Sequence, residues 1–206
     1  MYAMDKPVNV IFIGRSGCGK GTQADLLKKY LEKRDGEGRV FYIYTGEGLR
    51  ELTKRKELLT ARLVDEKVMK AGAKAPDFVA VWVWSGKFVE GMDEKRHIML
   101  DGSPRTVIEA KLLDEAFNFY ERNSVFPIWL DVGAEEVFFR MKSRGRADDT
   151  ESQIKNRLAY YEEYVVPAIN YYEKESANKL IHIDGNVRDP ALIHKNILAA
   201  LGLEKA

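Results

Sequence analysis

One cysteine is too few for an internal disulfide, so no covalent cross-link holds this 206-residue chain together. That lone residue, Cys18, fits a reducing, cytoplasmic setting. Charge of one sign is also scarce: 33 basic and 32 acidic residues leave a formal net charge of +1. Nucleic-acid-binding domains carry a marked basic excess, so no nucleic-acid partner is expected and any anion site must be local. No apolar run approaches the ~20 residues of a membrane helix. The run from Val8 to Ile13 is short and ends in a glycine-rich turn, so neither a secretory leader nor a membrane partner is expected. Internal repeats and low-complexity segments are absent as well. What remains is ordinary: 45% hydrophobic and 32% charged residues argue for a packed fold, and the length suits a single domain over 1–206 with small insertions.

Apolar and helical segments alternate. The stretches 8–13, 39–44, 97–101, 125–132 and 179–184 read as strands. Between them the periodicity is helical, as in 20–33, where Ala24, Leu27 and Leu31 share a face. Ile154, Leu158, Tyr161 and Val165 mark a helix that Pro167 is expected to kink or end. Five strands joined by helices imply an α/β fold, a parallel sheet covered on both faces. One crossover is too long. About 50 residues separate the second and third strands, where roughly a dozen suffice. Residues 45–90 therefore read as a small helical insertion able to move as a unit, with its substrate-facing part at 45–75.

The strongest motif runs from Gly14 to Thr22, Gly-Arg-Ser-Gly-Cys-Gly-Lys-Gly-Thr, between a strand and a helix. Gly14, Gly19 and Lys20 meet the Gly-x4-Gly-Lys part of a phosphate loop. Glycines let successive N–H groups turn inward toward phosphate oxygens, and the helix N-terminus adds its dipole. Lys20 adds a positive charge at the terminal phosphates. Gly21 follows the lysine where the strict motif has Ser or Thr, and Thr22 is the nearest hydroxyl for magnesium. Cys18 reads chiefly as a small residue that fits, although a thiol at a helix N-terminus can also be activated.

The string Gly19-Lys-Gly-Thr-Gln23 resembles adenylate kinases and their nucleoside monophosphate kinase relatives. Further stretches match in that family's order: Thr45 to Arg50, Asp101-Gly-Ser-Pro-Arg-Thr106, Arg146-Ala-Asp-Asp149 with Arg157 eight residues on, and Asp184-Gly185. The resemblance implies a three-layer phosphate-loop kinase fold with ATP and a monophosphate, AMP first, as substrates and magnesium as cofactor. It implies that Gly17, Cys18, Gly19, Lys20, Gly21, Thr22, Arg140, Arg144 and Val187 bind ATP. On the monophosphate side it implies Thr45, Arg50, Ala73, Ala75, Gly102, Arg105, Glu109, Arg146 and Arg157. Lys20, Arg105, Arg140, Arg146 and Arg157 would act on the transferring group, while Asp101 and Thr22 would hold magnesium through water. The arginines make sense in their own right. Two nucleotides bring many negative charges to one cleft, and guanidinium forks bind phosphate oxygens bidentately. Asp148 and Asp149 read equally as lid-hinge carboxylates or as caps of the next helix.

Departures from the family pattern sharpen the expectation. Ser16 replaces the usual proline and Ser103 the usual aromatic. Only Gly145 separates Arg144 from Arg146, so residues 144–146 are a vestigial lid. Glu109 stands where adenylate kinases carry the glutamine that reads the base, which keeps GMP, then CMP and UMP, as alternatives. A nucleotide-binding regulator without catalysis is a further alternative, opposed by Lys20, Asp101, Arg105, Arg140 and Arg157. No apolar docking stripe stands out, so a monomer is expected. With so short a lid, ATP is gripped mainly by its phosphates. The protein should therefore accept GTP and other triphosphates as donors. A donor panel checks this, and a hundredfold preference for ATP, about 2.7 kcal/mol, contradicts it.

Overall fold

A computed structural model describes residues 7–145 and 149–204. Five strands form, β1 (Asn9–Ile13), β2 (Val40–Tyr44), β3 (His97–Asp101), β4 (Val125–Asp131) and β5 (Ile181–Asp184). All pair in parallel, in the order β2-β3-β1-β4-β5. The five segments read from sequence are these strands, shortened at their ends. A parallel strand covered on both faces needs apolar residues at every position, and β1 shows why. Val10 and Phe12 point into one core with Leu27 and Leu31 of helix α1 (Lys20–Asp35). Ile11 and Ile13 point into the other, with Leu113 and Phe117 of α5 (Val107–Phe119). Pro127 stands inside β4 without conflict, because pairing with β5 begins only at Ile128.

The long crossover holds α2 (Thr45–Lys54), α3 (Leu59–Val64), a π turn (Asp65–Met69) and α4 (Asp77–Gly91). These build a third, smaller core from Leu49, Leu52, Ala61, Val64 and Val68, closed by Val79 and Val83 of α4. The C-terminal half of α4 belongs elsewhere, since Trp84 and Phe88 pack against the sheet. α4 thus ties the insertion to the core. Its outer side exposes Phe78, Trp82 and Val89, an apolar stripe that the sequence reading overlooked. The helix is apolar nearly all round, so its periodicity hides which face is outward.

Beyond β4 come α6 (Ala134–Arg144), α7 (Glu151–Tyr160), α8 (Val166–Lys174) and α9 (Pro190–Ala200). Pro167 does not end the helix before it. A π turn over Tyr161–Val165 joins α7 to α8, and the Val166 N–H donates to the Tyr161 carbonyl, five residues back. The wider turn puts Pro167 at the start of a fresh α segment, where its missing N–H is tolerated.

A histidine locks one end of the sheet. The Val8 N–H donates to His97 Nδ1 at 2.9 Å, so Nε2 carries the proton and lies 2.8 Å from Asp35 Oδ2. Burial pushes the His97 pKa below its ordinary 6.5, against the pull of Asp35. Burial raises the Asp35 carboxyl, but hydrogen bonds from Arg34 and His97 outweigh it and hold the group low. The two effects share a sign. Neutral His97 contributes stability above its unfolded pKa of about 6.5, and that stability is lost as pH falls through the depressed folded value. Thermal midpoints should therefore drop as pH falls below about 6.5, with a shallower slope in His97→Gln. Equal slopes for the two proteins would show that His97 does not titrate in this way.

Candidate active site

The C-terminal ends of β1 and β3 open into a cleft of about 560 Å³ between the sheet and the insertion. Ligands of open parallel sheets bind at this edge. Its floor is the turn after β1. Gly17 there has φ +87, and a Cβ would sit 2.4 Å from Met141 Cγ of α6, so only glycine fits. Lys20 opens α1 and folds back across the turn, donating to the carbonyls of Gly14 at 2.9 Å and Arg15 at 2.7 Å. Gly19, Gly21 and Thr22 line the cleft beside it. Cys18 lines the loop too; its side chain is buried in the larger core, with Sγ 3.6 Å from Lys20 Nζ.

Cations surround this floor, each held by an internal acceptor. Arg140 donates to the carbonyls of Cys18 (3.1 Å) and Gly185 (2.9 Å) and pairs with Glu136 at 2.8 Å. It thereby joins α6 to both the phosphate loop and the turn after β5, where Val187 lines the cleft. Arg144 (2.5 Å) and Arg157 (2.8 Å) both pair with Asp149, whose side chain is 1% exposed. Asp149 is therefore a clamp between two cleft arginines and does not cap α7. That cap is Thr150, in a reciprocal pair with Gln153. Arg146 and Asp148 lie outside the described residues.

On the insertion side, Arg50 donates to the Tyr44 hydroxyl at 3.1 Å, and Ala73 and Gly102 form part of the wall. Arg105 donates to the Gly102 carbonyl at 3.0 Å and the Tyr160 hydroxyl at 2.9 Å. Tyr160 also approaches Ser16 Oγ at 3.3 Å, bridging the phosphate loop to the opposite half. Sequence reasoning missed Tyr160. Its signal was present, because it stands three residues after Arg157 on the same helical face.

Asp101 ends β3 against the loop. Tyr42 donates to its Oδ2 at 3.3 Å, while Oδ1 is buried with no hydrogen-bond partner among the described residues. Burial pushes its carboxyl up, opposed by Lys20, Tyr42 and Arg105. Among the described residues no cluster of three or more His, Cys, Asp or Glu could hold a metal directly. An orphaned carboxylate oxygen with Thr22 nearby on the cleft wall suits a hydrated magnesium that takes most ligands from water and phosphate.

Thr45, Ala75 and Glu109 do not line the cleft but lie buried beneath its insertion side, at 1%, 2% and 0% exposure. Thr45 Oγ1 donates to Ser103 Oγ at 3.0 Å. Neither carboxyl oxygen of Glu109 has a hydrogen-bond partner among the described residues. Ser103 acts on it from nearby, short of hydrogen-bond geometry. Burial drives the Glu109 pKa up, against the lowering influence of Ser103, Arg105 and Lys74.

A family model described as "Adenylate kinase" matches residues 12–177. Adenylate kinase 1 of Nostoc sp. (strain PCC 7120) is 32% identical over 193 residues, covering 94% of this chain and 98% of that protein. The adenylate kinase of Leptospira biflexa serovar Patoc is 35% identical over 184 residues, covering 87% and 94%. That of Corynebacterium urealyticum is 33% identical over 182 residues, covering 88% and 94%. Matched from the phosphate loop through α8, the chain belongs to the adenylate kinase family and is a phosphotransferase of the nucleoside monophosphate kinase type.

Proposed function

We propose that the protein transfers a phosphoryl group reversibly from magnesium-bound ATP to AMP, giving two ADP. The observation that carries this reading is one cleft with a phosphate loop on its floor and arginines on both sides. Phosphoryl transfer needs little covalent chemistry, so catalysis is mostly positioning and charge stabilisation. Loop N–H groups and Lys20 hold the triphosphate, with Arg140 and Arg144 beside it. Arg50 and Arg105 hold the monophosphate, and Arg157 and Arg146 complete the ring of charge. The attacking oxygen of the monophosphate is already ionised, so no general base is required. Asp101 and Thr22 would hold a hydrated magnesium ion through water, and that ion would supply neutralisation of the charge between the phosphates. The insertion at 45–75 carries the acceptor, and 144–146 stands for the lid. A cytoplasmic monomer is part of this reading. No helix among the described residues is long and apolar enough to cross a membrane.

Glu109 favours GMP as a second reading only if it is ionised. Guanine presents two adjacent donors, which a carboxylate satisfies, whereas adenine pairs a ring acceptor with an amino donor. Burial favours the neutral acid, which donates and accepts as a glutamine amide does. Glu109 lies beneath the cleft wall, so the choice of AMP rests on the adenylate kinase relatives and not on this carboxyl.

Lys20→Ala tests the catalytic assignment. The variant should fold, and turnover should fall about a hundred- to a thousandfold. Near-normal turnover in a folded variant removes Lys20 from the mechanism. Glu109 makes a pH-dependent prediction. Its raised pKa keeps the proton below the folded value, so KM for AMP should climb as pH rises through that value. Glu109→Gln should abolish the climb and lower KM for AMP. If GMP is the acceptor, the same change should weaken GMP by about 1–3 kcal/mol, because it leaves a buried donor unpaired. No change with either nucleotide means Glu109 does not read the base.

A further inference from the structure

One face of α7 carries Gln153, Asn156, Arg157 and Tyr160, spaced by three, one and three residues. Arg157 and Tyr160 line the cleft. The other two side chains reach the tip of the insertion instead. Gln153 Nε2 donates to the carbonyls of Met69 at 3.1 Å and Lys70 at 3.0 Å. Asn156 Nδ2 donates to the Ala71 carbonyl at 2.8 Å. Gly72 comes next with φ +63, so close to α7 that a Cβ would lie 2.7 Å from Gln153 Cα. These carbonyls follow a π turn, where helical partners run out. Met69 and Ala73, at the two ends of the segment, form part of the cleft wall.

Gln153 has a second attachment. Its Oε1 accepts from the Thr150 N–H at 3.0 Å and the Thr150 hydroxyl at 2.7 Å, closing the N-terminus of α7. One buried amide therefore fixes the start of α7, directly after the Asp149 clamp, and holds the insertion tip with its other end. We propose that Gln153 and Asn156 are positioning residues for the acceptor nucleotide, clasping carbonyls 69–71 and so holding the insertion against the core. Each of these hydrogen bonds can be exchanged for one to water at small net cost, so the clasp is releasable. A wall already in its binding arrangement raises apparent affinity, because the competent state is the populated one. Only the acceptor should benefit, since neither amide touches the phosphate loop. The inference rests on assigning residues 45–75 to the monophosphate.

The test is Gln153→Glu combined with Asn156→Ala. Glutamate keeps the oxygen that accepts from Thr150, so the helix cap survives, but it loses both N–H donors and sets a carboxylate against the Met69 and Lys70 carbonyls. A spin-label pair at exposed Lys67 and Glu173 reports the distance between insertion and core. With a bisubstrate dinucleotide bound, the wild type should show one short distance. The double variant should shift toward longer distances under the same conditions. Its KM for the monophosphate should rise about tenfold, with KM for ATP unchanged and kcat held or raised by easier product release. An unshifted distance overturns the clasp. A shifted distance with unchanged monophosphate KM, or a loss shared equally by ATP, overturns the positioning role. A wild type that phosphorylates no monophosphate would sink the functional reading alone, and the distance measurement would still decide whether the clasp exists.

Discussion

A site built for several phosphates must hold its cations together when no phosphate is present, and this constraint organises the molecule. Lys20, Arg105, Arg140, Arg144 and Arg157 share one cleft, and each is held by an acceptor from the chain itself. Two kinds of acceptor are used. Backbone carbonyls hold Lys20 and Arg105 without adding negative charge that a nucleotide would have to displace, and Arg140 combines two carbonyls with the Glu136 carboxylate. Asp149 instead meets Arg144 and Arg157 as a buried carboxylate, and an ion pair in such surroundings is worthwhile only when its geometry and hydrogen bonds are good. Here one carboxylate meets two guanidinium groups from different helices. That fixes the end of α6 against α7.

The same partners set the backbone. Arg140 reaches the Cys18 carbonyl where the loop curls at Gly17, and Met141 packs against that curl because Gly17 has no Cβ. Loop shape, α6 position and the placement of the arginine are one arrangement. Cys18 belongs to it as packing, since its side chain faces the core while its carbonyl faces the cation.

Much of this was legible in the amino-acid order. The strands were, because fully buried parallel strands are short apolar runs that turn signals delimit. So was the phosphate loop, because glycine at positive φ and a following lysine leave a spaced pattern. The over-long crossover announced the insertion by length alone. What escaped depends on tertiary pairing. Periodicity cannot tell that Thr150, and not Asp149, caps α7, because both residues are good caps and only the buried pairing with Arg144 and Arg157 separates them. Nor could it show that Glu109 lies under the cleft wall, since a helix position fixes a face and not a depth. The π turn before Pro167 was hidden for a similar reason: a proline removes a donor wherever it falls, but the local widening that accommodates it follows from packing.

α7 gathers the contacts that join the two sides of the cleft. It begins at Glu151, shortly after α6 ends at Arg144. Its residues supply these contacts along one face: Arg157 to the Asp149 clamp, Tyr160 to Arg105 and the phosphate loop, and Gln153 and Asn156 to the insertion. A helix with a rigid cap transmits position better than a loop, because its residues keep fixed spacing along one face. The two halves of the cleft are thus registered to each other by four side chains within eight residues, from Gln153 to Tyr160. Catalysis by positioning tolerates little misplacement, and this fold meets that demand by carrying its alignment in the core.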